Sequence, residues 1–276
     1  LGVAPLSELA GVDWASLFAP KAEAAEKTYK VGDIVEFGSY PQSKVTDSSL
    51  VSALNKASKK WVSYGYYSGD GSNGSMKPGG WMEYADFTYN GTKYRAVTFS
   101  QYRPYYTSYS SSSGYTYQDD NGYTPNNIYY FKYEPLKWRV LDPSTGLVLC
   151  ENIIDSQAYS NTVYSFDPHY WNDAKHTHYA NDYATSSIRA WLNDDFYNTA
   201  FSSSQKASIL TSELDNKAYS TSYSKYDSET TYDKVFLLSY SEMHNTAYGF
   251  SSSSARQAKG TDLSLIHISE PTRHLR

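Results

Sequence analysis

Leu136-Lys137-Trp138-Arg139-Val140-Leu141, then Asp142-Pro143-Ser144-Thr145-Gly146, then Leu147-Val148-Leu149-Cys150-Glu151 sets two apolar runs around a stretch of turn formers. That spacing predicts a central β-hairpin with Trp138 and Val140 on one face. Cys150 falls within the second arm and reads as a small packed apolar residue, not a reactive thiol.

Working outward toward the N-terminus, Tyr89-Asn90-Gly91-Thr92-Lys93-Tyr94 places an Asn-Gly pair between apolar stretches, a strong hairpin signal. Its second arm, Tyr94 to Phe99, alternates with period two. The run from Ser63 to Gly80 is rich in Gly, Ser, Asp and Asn and reads as a loop. Asp47 is placed to cap a helix with Leu50, Val51 and Leu54 on one face. Val31 to Gly38 reads as a strand that ends at a Tyr40-Pro41 turn.

Toward the C-terminus the clearest helix starts at Ser186 or Ser187, with Ile188, Trp191, Leu192 and Phe196 at three-to-four spacing. A second helix opens on the capping box Ser202-x-x-Gln205. Val235 to Leu238 is wholly apolar and predicts a short strand covered on both faces. These elements describe an α+β fold of short antiparallel strands with two main helices, in a single domain over residues 29–262.

Both ends differ from that region. Residues 1–28 hold alanine-rich patches and few strand formers, and Ala22-Glu23-Ala24 fits a signal-peptidase site. They are expected to be a secretion-signal remnant or a flexible arm. Leu263-Ser264-Leu265-Ile266-His267-Ile268-Ser269-Glu270-Pro271-Thr272-Arg273 breaks from the Ser/Tyr style before it and resembles the in-frame translation of a sequencing-library adapter. Residues 263–276 are accordingly expected to be a non-native tail, with the natural sequence continuing after Asp262.

Composition narrows the function classes. The chain has 276 residues, 24 Lys+Arg against 29 Asp+Glu, and a formal net charge of -5, which argues against nucleic acid as a partner. No run of ~18 apolar residues occurs, so no membrane span is expected in this fragment. The single cysteine excludes an internal disulfide framework and a thiolate zinc site. Tyrosine is the anomaly, at 30 residues.

Several motifs point to a family. Val31-Gly32-Asp33-Ile34-Val35-Glu36-Phe37-Gly38-Ser39-Tyr40-Pro41-Gln42, Lys93 to Val97, Glu134 to Leu141, Ser187 to Asn193 with Phe196 to Phe201, and Asp233 to Ser239 occur in order. Together they resemble the bacterial family catalogued as domain of unknown function 6273. The resemblance implies kinship with C-type-lectin-like folds and a chain lacking the family's closing C-terminal strands. It transfers no catalytic residue.

Candidate chemistry is sparse. Asp167, His169, Asp173, His176 and His178 are the densest group of potential metal ligands, with His176 and His178 on one face if extended. Their spacing matches no zinc signature, and solvated loop polars are the default reading. Trp171-Asn172-Asp173 spells a tripeptide that supplies calcium ligands in sugar-binding lectins, but calcium needs six to eight converging oxygens. The expectation is therefore no cofactor, with calcium the weak alternative. Ser203-x-x-Lys206 and Ser222-x-x-Lys225 are spacings that a serine-rich chain produces by chance, and neither G-x-S-x-G nor H-E-x-x-H is present.

The strongest functional signal is Tyr102, Tyr105, Tyr106, Tyr109, Tyr115 and Tyr117, interleaved with Ser, Gly and Asn, and Tyr123 follows. Tyr219, Tyr223 and Tyr226 repeat the style. Antibody paratopes use this mixture, and tyrosine rings also stack on sugar faces. Against that stands tyrosine packed half-buried with its hydroxyl in water. The leading expectation is a secreted or cell-surface binding module recognising a glycan or surface protein through these loops. A cell-envelope hydrolase and a structural spacer in an adhesin are the rival classes.

Overall fold

A computed structural model describes residues 2–3, 28–64, 66–68, 77–102, 118–157, 159–160, 178–179 and 181–267. The strands are β1 (Gly2–Val3), β2 (Ile34–Lys44), β3 (Val62–Ser63), β4 (Tyr66–Ser68), β5 (Lys77–Gly79), β6 (Met82–Tyr89) and β7 (Thr92–Phe99). They continue with β8 (Tyr129–Asp142), β9 (Leu147–Cys150), β10 (Asn152–Ile153), β11 (Ser212–Leu214), β12 (Thr231–Asp233), β13 (Val235–Phe236) and β14 (Lys259–Gly260). The helices are α1 (Ser48–Lys56), α2 (Ser187–Trp191), α3 (Tyr197–Ala200), α4 (Ser203–Ser208), α5 (Tyr240–Met243) and α6 (Asp262–His267). The protein is α+β, with the main sheet in the order β13-β1-β9-β8-β7-β6-β3 and β2 paired to β8.

β8 is the spine. Its early residues Tyr129 to Lys132 pair with β7, its late residues Trp138 to Asp142 pair with β9, and β2 runs antiparallel along its length. The hairpin read from sequence is there, closed by Gly146 at φ 71°, with Trp138 directly opposite Cys150. Trp138 and Val140 are buried, and the Trp138 indole N–H donates to the Phe37 carbonyl at 2.7 Å. The Asn90-Gly91 turn also forms, both residues at positive φ, joining β6 to β7 in full register.

Local caps behave as the sequence spacing predicts. Asp47 Oδ1 accepts from the Leu50 amide at 2.6 Å, and Leu54 is driven into a small core with Ala85, Tyr94, Ala96 and Tyr130. Lys59 closes the other end of α1 by donating its ammonium to the carbonyls of Leu54 and Ala57. Ser186 caps α2, and the reciprocal Ser202–Gln205 box opens α4.

Between α2 and α3 the helix widens into a π-turn over Leu192–Phe196. Ile188, Leu192, Phe196 and Ala200 are all buried. A stripe at four-residue spacing drifts roughly 40° per step around a regular α-helix. The wider turn offsets that drift and keeps the stripe on the sheet.

Three expectations are corrected. The strand does not stop at Tyr40-Pro41: β2 runs to Lys44, with register shifts between Glu36 and Ser39 and between Pro41 and Ser43. Proline fits in a strand at such a bulge because the ladder is already interrupted there. Residues Ser63 to Gly80, read as a loop, include the antiparallel strand pair β4–β5. β7 does not alternate: Tyr94, Arg95, Ala96 and Val97 are all buried, because α1 covers one face and the main core the other.

At the ends, Gly2–Val3 sit between β9 and β13, while Ala22-Glu23-Ala24 lies outside the described residues. Leu263 to His267, set apart in the sequence reading, form most of α6. Leu263 and Ile266 are fully buried, Tyr123 donates its hydroxyl to the Asp262 carbonyl, and Asn121 donates to the carbonyl of Leu265. The i, i+3 spacing of Leu263 and Ile266 puts two apolar side chains on one face of the turn. Residues 268–276 lie outside the described residues.

Candidate functional site

The tyrosines divide into buried and exposed sets. Tyr102 is half-buried, its ring 6.2 Å from Phe99 and packed against the main core. Tyr105, Tyr106, Tyr109, Tyr115 and Tyr117 lie outside the described residues. Tyr123 is only 2% exposed, with Lys44 Nζ 4.5 Å over its ring, so it belongs to the core. Of the metal candidates, His169, Asp173 and His176 lie outside the described residues, as does Trp171-Asn172-Asp173, and His178 is exposed. Among the described residues no group of three or more His, Cys, Asp or Glu could hold a metal.

A different aromatic group stands on the surface. Tyr219 and Tyr223 flank and enter a 3-10 turn over Thr221–Tyr226, while Tyr240 opens α5 and His244 ends it. The ring centroids run Tyr223–Tyr219 at 5.4 Å, Tyr219–Tyr240 at 4.6 Å and Tyr240–His244 at 4.1 Å, with planes 35°, 30° and 25° apart. The three tyrosines are 46%, 59% and 56% exposed. With the exposed His244 they form a column of four rings open to solvent.

Backbone hydrogen bonds hold that column from both sides. Ser220 Oγ accepts from the Ser222 amide, Asp227 donates its amide to Ser224, and Asp227 Oδ1 accepts from the Ala218 amide at 2.8 Å. At the loop base Asn216 donates to the Glu229 carbonyl, and Ser228 donates its hydroxyl to Asp182. The Ser239–Glu242 capping box fixes α5, and His244 Nδ1 donates to the Tyr240 carbonyl at 2.8 Å. Tyr219's phenol is pushed up by its hydrogen bond with Tyr223. Sequence reasoning named Tyr219 and Tyr223 but not Tyr240 or His244. The signal was local: Tyr240-x-x-x-His244 follows the capping serine, which puts both rings on one face of a single turn.

A buried charged cluster is the other notable arrangement. Arg95 donates Nε and Nη2 to the two oxygens of Asp86, each at 2.8 Å, and Nη1 to the hydroxyls of Tyr40 and Tyr64. Its guanidinium lies 4.2 Å over the Tyr84 ring. Tyr40 in turn donates to Asp155 at 2.6 Å, and His267 Nε2 lies 3.2 Å from the same carboxylate. Burial pushes the Asp155 carboxyl up to about 6, against the pull of Arg95 and Tyr40. Arg95 spends its donors on neighbouring side chains, as an internal brace does.

A shallow cleft of about 610 Å³ crosses the β2–β8 bulges and is lined by Glu36, Lys132, Glu134, Lys137, Lys259 and Asp262 among others. Glu134 accepts from the Ser43 hydroxyl and Asp262 from the Lys44 amide. Asp194 and Asp195 sit exposed on the π-turn, and burial with the neighbouring Asp194 raises the carboxyl of Asp195. Cys150 is buried, and burial raises its thiol.

The sequence model of one family, described as a domain of unknown function (DUF6273), matches residues 144–276. That span holds the Ser187–Asn193, Phe196–Phe201 and Asp233–Ser239 motifs and the ring column. No curated protein and no solved structure matches the chain.

Proposed function

Since residues 144–276 match the DUF6273 family, we propose that this chain is a secreted or cell-surface, non-catalytic binding module with a C-type-lectin-like architecture. It recognises a glycan or a surface protein through Tyr/Ser-rich loops and needs no cofactor to do so. The observation that carries this reading is the solvent-exposed stack Tyr223–Tyr219–Tyr240–His244. Folding ordinarily removes aromatic rings from water, so four rings gathered on an ordered surface point to a partner. Tyrosine suits that role because it offers a stiff apolar face and a hydrogen-bonding tip with little side-chain freedom to lose.

The test uses the full chain on arrays of immobilised glycans and surface proteins. A saturable hit is expected. The loop reading adds that Tyr105→Ser, Tyr106→Ser and Tyr109→Ser together weaken the hit at least tenfold with the melting temperature unchanged. Unaltered affinity would remove the binding role from that loop, and an empty array would remove the binding-module reading itself.

A further inference from the structure

Resting on the binding-module reading, we infer that the column Tyr223–Tyr219–Tyr240–His244 is a subsite for a neutral, β-linked pyranose chain. Ring carbons in contact lie about 3.5–4 Å apart. Centroid separations of 4.6 and 5.4 Å, with the ring planes tilted by 30° and 35°, therefore mean that each tyrosine overlaps the next only in part. The column is a staircase, and each tread is a bare part of a ring face. That geometry explains how rings in mutual contact remain about half exposed.

The surroundings select the ligand. Asp215 pairs with Lys217, Lys225 lies over the Tyr226 ring, Asp227 accepts from the Ala218 amide, and Glu242 accepts from the Ser239 amide. Each of these charges has an opposite charge, a ring or a backbone amide of the same segment beside it, and the two signs are mixed, so they do not call for a charged ligand. Exposed hydroxyls of Ser222, Ser224 and Ser241 flank the rings in sequence. Flat C–H faces bordered by hydroxyls are what an equatorially substituted sugar presents, and rigid rings receive it with little ordering cost.

Titration calorimetry of the full chain tests the site, with cellopentaose and chitopentaose as neutral probes and sialyllactose and a heparin tetrasaccharide as charged comparators. One neutral probe is expected to bind. Tyr219→Ala and Tyr240→Ala should each weaken it at least tenfold, about 1.4 kcal/mol, while Tyr219→Phe and Tyr240→Phe stay within threefold because the ring face remains. Should an alanine variant fail to fold, ring-labelled tyrosine resonances of the wild-type chain provide the readout: probe-induced shifts support the site and unmoved resonances overturn it. Folded alanine variants that lose less than tenfold, or binding of charged probes alone, also overturn the site. A neutral probe lost in the Tyr105/Tyr106/Tyr109 variant but kept in the column variants sinks the column and leaves the binding-module reading standing. A chain that captures only proteins on the arrays does the same, and one that captures nothing sinks both.

Discussion

At the residue scale, Asp155 carries the clearest electrostatic consequence. Its carboxyl is raised to about 6 from an ordinary value of 3.8, with burial the largest cause. Between those two values the folded chain holds a proton that the unfolded chain has released. Asp155 therefore favours folding below about pH 4, and that contribution is lost as pH rises through about 6, by an amount on the order of 3 kcal/mol. Asp155→Asn should flatten the difference in urea stability between pH 4.5 and pH 7; an unchanged slope would mean that the carboxyl titrates normally. Nothing in the sequence marked Asp155, and Arg95 stood out only as part of the Lys93 to Val97 motif. The Lys93 to Val97 run could be read as a strand, but the hydroxyls of Tyr40 and Tyr64 come from chain 55 and 31 residues away.

Elements were legible where their determinants are local. Asp47, Ser186, Ser202 and the Asn90-Gly91 pair each act within three residues of themselves, so their capped helices and turn follow from spacing alone. The bulged half of β2 was not legible because its cause is remote. Gly38 sits at φ +74°, and a Cβ there would lie 2.7 Å from the Phe201 ring and 2.8 Å from the Ala200 carbonyl. Gly38→Ala should cost about 2–5 kcal/mol through left-handed strain and overpacking together. A shift of the urea midpoint equivalent to less than 1 kcal/mol would show that the bulge relaxes around the added methyl. The β4–β5 pair was missed for a different reason: its strands are three residues each, and the Gly/Ser-rich sequence around them gives turn signals that outweigh so short a strand pattern.

At the scale of the whole molecule, the α+β class was legible because helix and strand periods are distinct, and the way β8 shares its length between β7 and β9 was not. That sharing draws Val35 and Ile266 into one core with Trp138 and Phe196. Half of the candidate site was visible as Tyr219 and Tyr223. Its completion by Tyr240 and His244 depends on α5 being brought beside the loop, a tertiary event that composition cannot report.

One consequence follows from the pairing of Trp138 with Cys150 across the central hairpin. The chain carries one sulfhydryl, and it is 5% exposed. A thiol-modifying reagent should therefore meet nothing to react with until β9 parts from β8, and labelling becomes a clock for that opening. Modification in native buffer is expected to track unfolding measured by tryptophan fluorescence as urea is added. Fast labelling of the folded chain would instead reveal that β9 frays independently of the rest of the sheet.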